Sequence, residues 1–215
     1  MIPVRLYAYA LNVRVRSAAA GGLPVFLIAD FEASSLHHGS YPIEVAWVDE
    51  HGQGEAHLIR PAEGWEDWSV ASQTIHGISR ERLAADGEDA AAVAHRVADV
   101  FGDANAVYCD GGWFDQGWLN VLTGAAGIRR IVKLSRIEDL WAAECQPLLA
   151  LLPAPDHRLH AEAKRRLAMD VLQLVEDVAE AERARIRIRH RALDDAQGLL
   201  WRWRELRARV AALVG

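Results

Sequence analysis

Asp30 and Glu32 end an apolar run of Val25, Phe26, Leu27, Ile28 and Ala29. Residues two apart in a strand share a face, so both carboxylates point into one space at the strand's carboxyl end, where open α/β sheets bind ligands. Two carboxylates held close repel and raise each other's pKa unless a cation lies between them. Hard divalent ions such as Mg2+ take oxygen ligands of this type. Asp86 and Glu88 repeat the spacing with no apolar strand before them, which marks a solvated helix start instead.

Two distant stretches add to the acidic pair. In "VYCDGGWFDQGWLN", Asp115 directly follows Phe114 where a strand passes into a helix, so its side chain can return to the same sheet edge. A first-turn aspartate serving only its own helix is the alternative, and Asp110 is a rival carboxylate in the same segment. Near the C-terminus, "HRALDDAQGLL" sets His190 and Asp195 five residues apart. On one continuous helix that separation turns about 140°, too far for a common target. A helix that starts after the histidine lets the two converge.

These groups need a scaffold. Residues 25 to 31 read as a buried strand, and 43 to 49 and 54 to 60 as two more, joined through "DEHGQG" with its hairpin glycines. "NAVYCDGG" is a short apolar run closing on glycine, hence a strand, and "RRIVKLSRI" is a fifth. Helical spacing follows in the second half of "SRERLAADGEDAAAVAHRVADVFGD", in "WFDQGWLNVLTGAAG", in "AEAKRRLAMDVLQLVEDVAEAERAR" and in "DDAQGLLWRWRELRARVAALV". Strands in a meander, then strand alternating with helix, predict an α/β domain over residues 24–215 with a mixed five-stranded sheet flanked by helices. Residues 1–23 read as an N-terminal arm outside it.

Composition sets the outer bounds. The chain has 215 residues, 51% hydrophobic and 25% charged, as soluble globular domains do. Arg14 and Arg16 interrupt the one suspicious apolar segment, so no stretch approaches the roughly 18 to 20 apolar residues that span a bilayer. The two cysteines, Cys109 and Cys145, form neither a disulfide framework nor a metal-ligand spacing, and a cytoplasmic location is the default. A net charge of −6 argues against bulk attraction to duplex nucleic acid, but not against a nuclease with an acidic, metal-carrying centre.

Taken together, "DFE" after a strand, "WFDQGWL" in the middle and "HRALDDA" near the end resemble the motifs of the DEDDh branch of 3'-to-5' exonucleases, the superfamily of the proofreading subunit of bacterial replicative polymerase, ribonuclease T and oligoribonuclease. "SYPIEVAWV" and "TIHGIS" are similar to the family's second strand and its His-Gly-Ile turn, so the likeness covers roughly residues 25 to 205 in order. It departs in having Ser within "DFEASSL" where many relatives carry Gly, and in lacking an Asn ahead of Phe114.

The resemblance implies a ribonuclease-H-like fold holding two Mg2+ or Mn2+ ions. By motif position Asp30, Glu32, Asp115 and Asp195 would bind the metals, and His190 would be the general base. A phosphodiester resists hydrolysis because water is a poor nucleophile and the alkoxide a poor leaving group; paired divalent ions address both. Imidazole titrates near physiological pH and can take the water's proton. The implied product is a nucleoside 5'-monophosphate, cut from a single-stranded DNA or RNA 3' end.

For the substrate, Leu36 and Phe114 hold positions from which relatives press apolar side chains against terminal bases, a sequence-tolerant contact. Arg183, Arg185, Arg187, Arg189 and Arg191 alternate around the histidine. In an extended segment they would form one basic edge, with Arg187 and Arg189 gripping strand phosphates. His37 and His38 read as turn residues, and His76 as securing a turn. Trp201 and Trp203 cannot both face the core, which leaves a homodimer surface open. Two other functions stay open: a binding module of the same fold without turnover, and a hydrolase of dinucleotides or other short oligonucleotides.

Overall fold

The computed structural model describes residues 26–129, 132–155, 157–185 and 188–215. The arm expected over residues 1–23 lies outside the described residues, as does Arg187. Strands β1 (Leu27–Ala33), β2 (Pro42–Asp49) and β3 (Gly54–Arg60) form the expected antiparallel meander. β1 and β2 are interior strands covered on both faces, which is why their sequences run apolar almost without alternation. Asp49 closes the β2–β3 turn: its Oδ1 accepts from the backbone N–H of His51 at 2.9 Å and of Gln53 at 2.8 Å.

The chain then crosses through α1 (Val70–His76), α2 (Arg80–Asp86), β4 (Glu88–Asp89) and α3 (Ala90–Asp103). Ser69, Ser79 and Asp89 cap these helices by accepting backbone N–H bonds. β5 (Val107–Cys109) lies parallel to β1, with Leu27 opposite Val107 and Ile28 opposite Tyr108. It leads into α4 (Trp113–Ala125), and β6 (Ser135–Arg136) pairs parallel with β5.

The sheet order is β4-β3-β2-β1-β5-β6. The mixed α/β architecture is the expected one, with six strands where five were expected. The addition is β4, whose two residues are too few to leave a periodic signal. Gly87 admits it, because a Cβ there would run into the Arg60 backbone. Asp86 and Glu88 are accordingly not the start of a helix: Asp86 ends α2, and Glu88 sits in β4 with its carboxylate 2.8 Å from His57 Nδ1. Among the described residues, the expected strand in "RRIVKLSRI" shrinks to Ser135–Arg136.

Two compact units divide the chain. The sheet unit takes in the described residues of 26–136 and 188–197. Its main core joins Ala29, Phe31, Val45 and Trp47 of the sheet to Val93, Val97 and Phe101 of α3 and Leu119 and Leu122 of α4. Ala29 and Phe31 face that core, so the pleat turns Asp30 and Glu32 to the opposite face.

The other unit takes in residues 137–185 and 198–215 and is helical: α5 (Ile137–Glu144), a 3-10 turn (Gln146–Leu151), α6 (His160–Arg183) and the later turns of α7 (Ala192–Val214). Ala168, Val171, Val175 and Val178 form the buried stripe of α6 at three- and four-residue spacing. Within this unit Trp203 is buried and donates to Glu144 Oε1 at 2.9 Å, while half-buried Trp201 carries the Arg185 guanidinium 4.6 Å from its ring. Among the described residues no helix is long and apolar enough to cross a membrane.

Candidate active site

Three separate segments of the sheet unit meet at the carboxyl end of β1. The β1–β5 register, continued three residues beyond Leu27 and Val107, sets Asp30 level with Asp110. The turn after β5 brings in Asp115. Gly112, at φ 62°, supplies the backbone turn into α4, and Gly111 lets the chain pass so close to the Asp115 carboxylate that a Cβ would collide with it. The Gly111 N–H donates to Asp115 Oδ2 at 3.0 Å and fixes that buried side chain.

The third segment is the start of α7, which begins at Ala192, after the histidine. His190 stands outside the helix at φ 58°, and its backbone N–H donates to Asp195 Oδ2 at 2.8 Å. This local fold answers the geometric objection to a His and an Asp five residues apart. A ring nitrogen of His190 and one carboxylate oxygen each from Glu32 and Asp195 all lie within 4.8 Å of one another.

Electrostatics shows the crowding. Burial, reinforced by Asp110, Asp115, Glu32 and Asp195, holds the Asp30 carboxyl well above its usual range. Burial, then the negative charge of Asp195 and Glu44, pushes Glu32 up to about 8 although Arg191 opposes the shift. Burial also lifts Asp115 to about 7, against the stabilising Cys109 thiol and Gly111 N–H. Acids pressed together in this way fit a divalent cation, which supplies the missing positive charge. Carboxylate oxygens suit hard divalent cations, and the adjacent imidazole is a ligand type that softer divalent metals such as zinc prefer.

The structure therefore brings Asp30, Glu32, Asp115, His190 and Asp195 to one place, with Asp110 beside them. Leu36, 68% exposed, lies in the turn that follows β1. That turn is tied down from beneath: the Ser35 hydroxyl donates to Asp67, and Ser34 accepts from the Tyr41 N–H at 3.1 Å. Phe114 is half-buried, stacked against Trp113 at 4.1 Å between ring centroids and tilted toward Trp118 at 5.7 Å. Trp118 donates to Ser40 at 2.9 Å, which links α4 to the turn carrying Leu36. His76 secures its turn, as expected, by accepting the Ile78 N–H at Nδ1.

Among the described residues the expected extended row of arginines is not present. Arg183 closes the α6 helix and pairs with Glu176 at 2.8 Å, Arg185 lies over Trp201, and Arg191 turns in to Glu44. The Ala- and Glu-rich helical propensity of α6 carries through Arg183 and overrides the alternation. Arg189 is half-buried beside His190. Sequence reasoning passed over two residues altogether. Glu44 is a carboxylate within the apolar run of β2, an oddity visible in the sequence, and Trp113 is a tryptophan at a helix start whose 76% exposure only the structure shows.

The chain matches no family model and no curated protein. Among solved structures it is similar to a zinc-bound complex of E. coli exonuclease I with single-stranded DNA, with a TM-score of 0.59 at 18% identity over 87% of this chain. A second exonuclease I structure, described as suggesting how processivity is achieved, gives 0.53 at 20% identity over 81% of the chain. The chain spans only 41% and 39% of the length of the exonuclease I chains in those two structures. The likeness is one of fold: the mixed sheet with flanking helices is the ribonuclease-H-like arrangement of these exonucleases.

Proposed function

We propose that this chain is a metal-dependent 3'-to-5' exonuclease of the DEDDh type that releases nucleoside 5'-monophosphates from single-stranded ends, DNA foremost. The observation that carries this reading is the meeting of His190 with Glu32 and Asp195 beside Asp30 and Asp115, from three separate segments of the chain. The single-stranded DNA complex of the similar exonuclease I supports the choice of polymer. A binding module has no need of an imidazole poised among acids. Buried thiols outside any disulfide, at Cys109 and Cys145, suit a reducing cytoplasm.

Asp30, Glu32, Asp115 and Asp195 would hold a pair of Mg2+ or Mn2+ ions. Bound there, such a pair would lower the pKa of an attacking water and stabilise the departing 3' oxygen. His190 takes the water's proton on a ring nitrogen, held in place by its own backbone bond to Asp195. Leu36 and the Trp113–Phe114 stack receive the terminal bases, and Arg187 and Arg189 hold phosphates of the incoming strand.

The test is a single-stranded DNA labelled at its 5' end, with a matched RNA, incubated with Mg2+. Stepwise shortening of the labelled strand with release of 5'-mononucleotides is expected. Cleavage within the strand, release from the 5' end, or an intact strand would reject the reading; turnover of dinucleotides alone would favour the short-oligonucleotide hydrolase.

A further inference from the structure

Glu44 stands in the middle of β2 with its side chain 2% exposed, where the neighbouring strand residues are apolar. A buried carboxylate is costly unless it is paired and fully hydrogen-bonded. Here it is. Arg191 Nε donates to Glu44 Oε1 at 3.2 Å and to Oε2 at 3.0 Å, and its terminal nitrogen donates to Oε1. The Ala192 backbone N–H donates to Oε2 at 3.0 Å. That N–H belongs to the first turn of α7, among the donors a helix cannot satisfy internally, and the start of a helix favours negative charge.

The grip falls between the two groups that matter. His190 lies just before Arg191 and Ala192, and Asp195 three residues after them. The segment also closes on itself, through the Asp195 N–H to Arg191 O at 2.9 Å and the His190 N–H to Asp195 Oδ2 at 2.8 Å. On the strand side, Glu44 is the direct register partner of Glu32, so the two side chains share a face of the sheet. One strand pair thus carries both a member of the acidic cluster and the carboxylate bonded to the segment between His190 and Asp195.

We propose that Glu44, through Arg191 and the Ala192 N–H, is the positioning residue that sets His190 and Asp195 against Glu32. The proposal rests on the exonuclease reading for its kinetic consequence, though the geometry it describes is independent of turnover. Glu44→Gln keeps the shape of the side chain and removes the charge that Arg191 and the helix start require. Arg191→Met removes the other half of the pair.

The experiment measures kcat, KM, Mn2+ affinity and thermal unfolding for the wild type, E44Q, R191M and the double variant. Expected are folded variants whose kcat falls at least tenfold with KM changed less than threefold, and whose Mn2+ affinity falls at least fivefold. The double variant should lose no more than the worse single one, since both substitutions cut the same link. A pair that only braces the fold would lower the unfolding temperature while leaving kcat and Mn2+ affinity of the folded protein within twofold; that result overturns the proposal. If the wild type degrades no strand, the exonuclease reading fails separately, and Mn2+ affinity of E44Q and R191M against wild type still decides the role of Glu44.

Discussion

The backbone N–H of His190 donates to Asp195 Oδ2 at 2.8 Å, from a residue held in the left-handed region at φ 58°. The bond places the imidazole and the carboxylate of one short segment side by side, an arrangement a continuous helix forbids. It also means that a substitution at position 190 tests two things at once, the imidazole and the backbone. Asn tolerates the left-handed region better than most residues, whereas a β-branched residue does not. His190→Asn should keep the unfolding temperature close to wild type and lower kcat roughly a hundred- to ten-thousand-fold, the usual worth of a general base. His190→Val should lose activity and stability together. Wild-type turnover by H190N would remove the imidazole from the chemistry.

Metal-free protein should lose stability as pH rises. The Asp30, Glu32 and Asp115 carboxyls are all raised in the folded chain, the latter two to about 8 and about 7. The folded state therefore binds more protons than the unfolded state between the ordinary carboxyl range and pH 8. The stability these three groups contribute is fully present below their unfolded pKa values, near 4, and is lost as pH climbs through the folded ones. In EDTA the unfolding temperature should drop between pH 5 and 8.5, and Asp30→Asn should flatten that drop, with about 2 to 4 °C regained for each kcal/mol of repulsion relieved. Thermal scans across pH check it, and a flat wild-type profile would contradict the crowding of the acids.

Trp113 gives an exposed aromatic face already stacked on Phe114. Stacking of one base on an aromatic side chain is worth about 1 to 3 kcal/mol. Trp113→Ala should therefore raise KM for single strands about tenfold with kcat little changed, while Trp113→Phe retains most of the affinity. Steady-state kinetics on strands of increasing length make the measurement.

Arg187→Gln with Arg189→Gln should weaken strand binding and reduce its dependence on salt. Each phosphate that no longer meets a guanidinium takes about 0.7 from the slope of log affinity against log salt for a single strand. Fluorescence anisotropy at several salt concentrations, with Ca2+ in place of Mg2+, reads the slope; an unchanged slope would show that these arginines do not touch the strand.

Much of the sheet was legible: β2 falls within a residue of its expected range because an interior strand carries a long apolar run, β3 matches through the hairpin glycines that precede it, and α4 begins and ends where its stripe and glycines place it. Short elements were not legible. Val70–His76 makes a helix of two turns whose sequence, with Val70 and Ile75 exposed, has no amphipathic stripe, and it exists by virtue of its Ser69 cap and the Gly77 end at φ 69°. At the site, strand parity pairs Asp30 with Glu32 and a helix starting after the histidine reconciles His190 with Asp195, but residue type and order left Asp110 a rival to Asp115, and the set of five came from the resemblance to the exonuclease motifs. What holds them was hidden. Glu44 meets Arg191 across a separation of 147 residues, and no local pattern encodes such a meeting. The arginine alternation misled for the opposite reason, since local periodicity yielded to a helix on one side and to Glu44 on the other.

Counting bound Mn2+ by electron paramagnetic resonance at pH 8 addresses the acidic cup itself, whatever its substrate. Two ions per chain are expected, with Asp30→Asn abolishing at least one and weakening the other more than tenfold. Failure of the wild-type chain to bind any Mn2+ at millimolar concentration, or binding that survives Asp30→Asn and Asp195→Asn unchanged, would show that these acids do not seat metal and would remove the basis of the enzyme assignment.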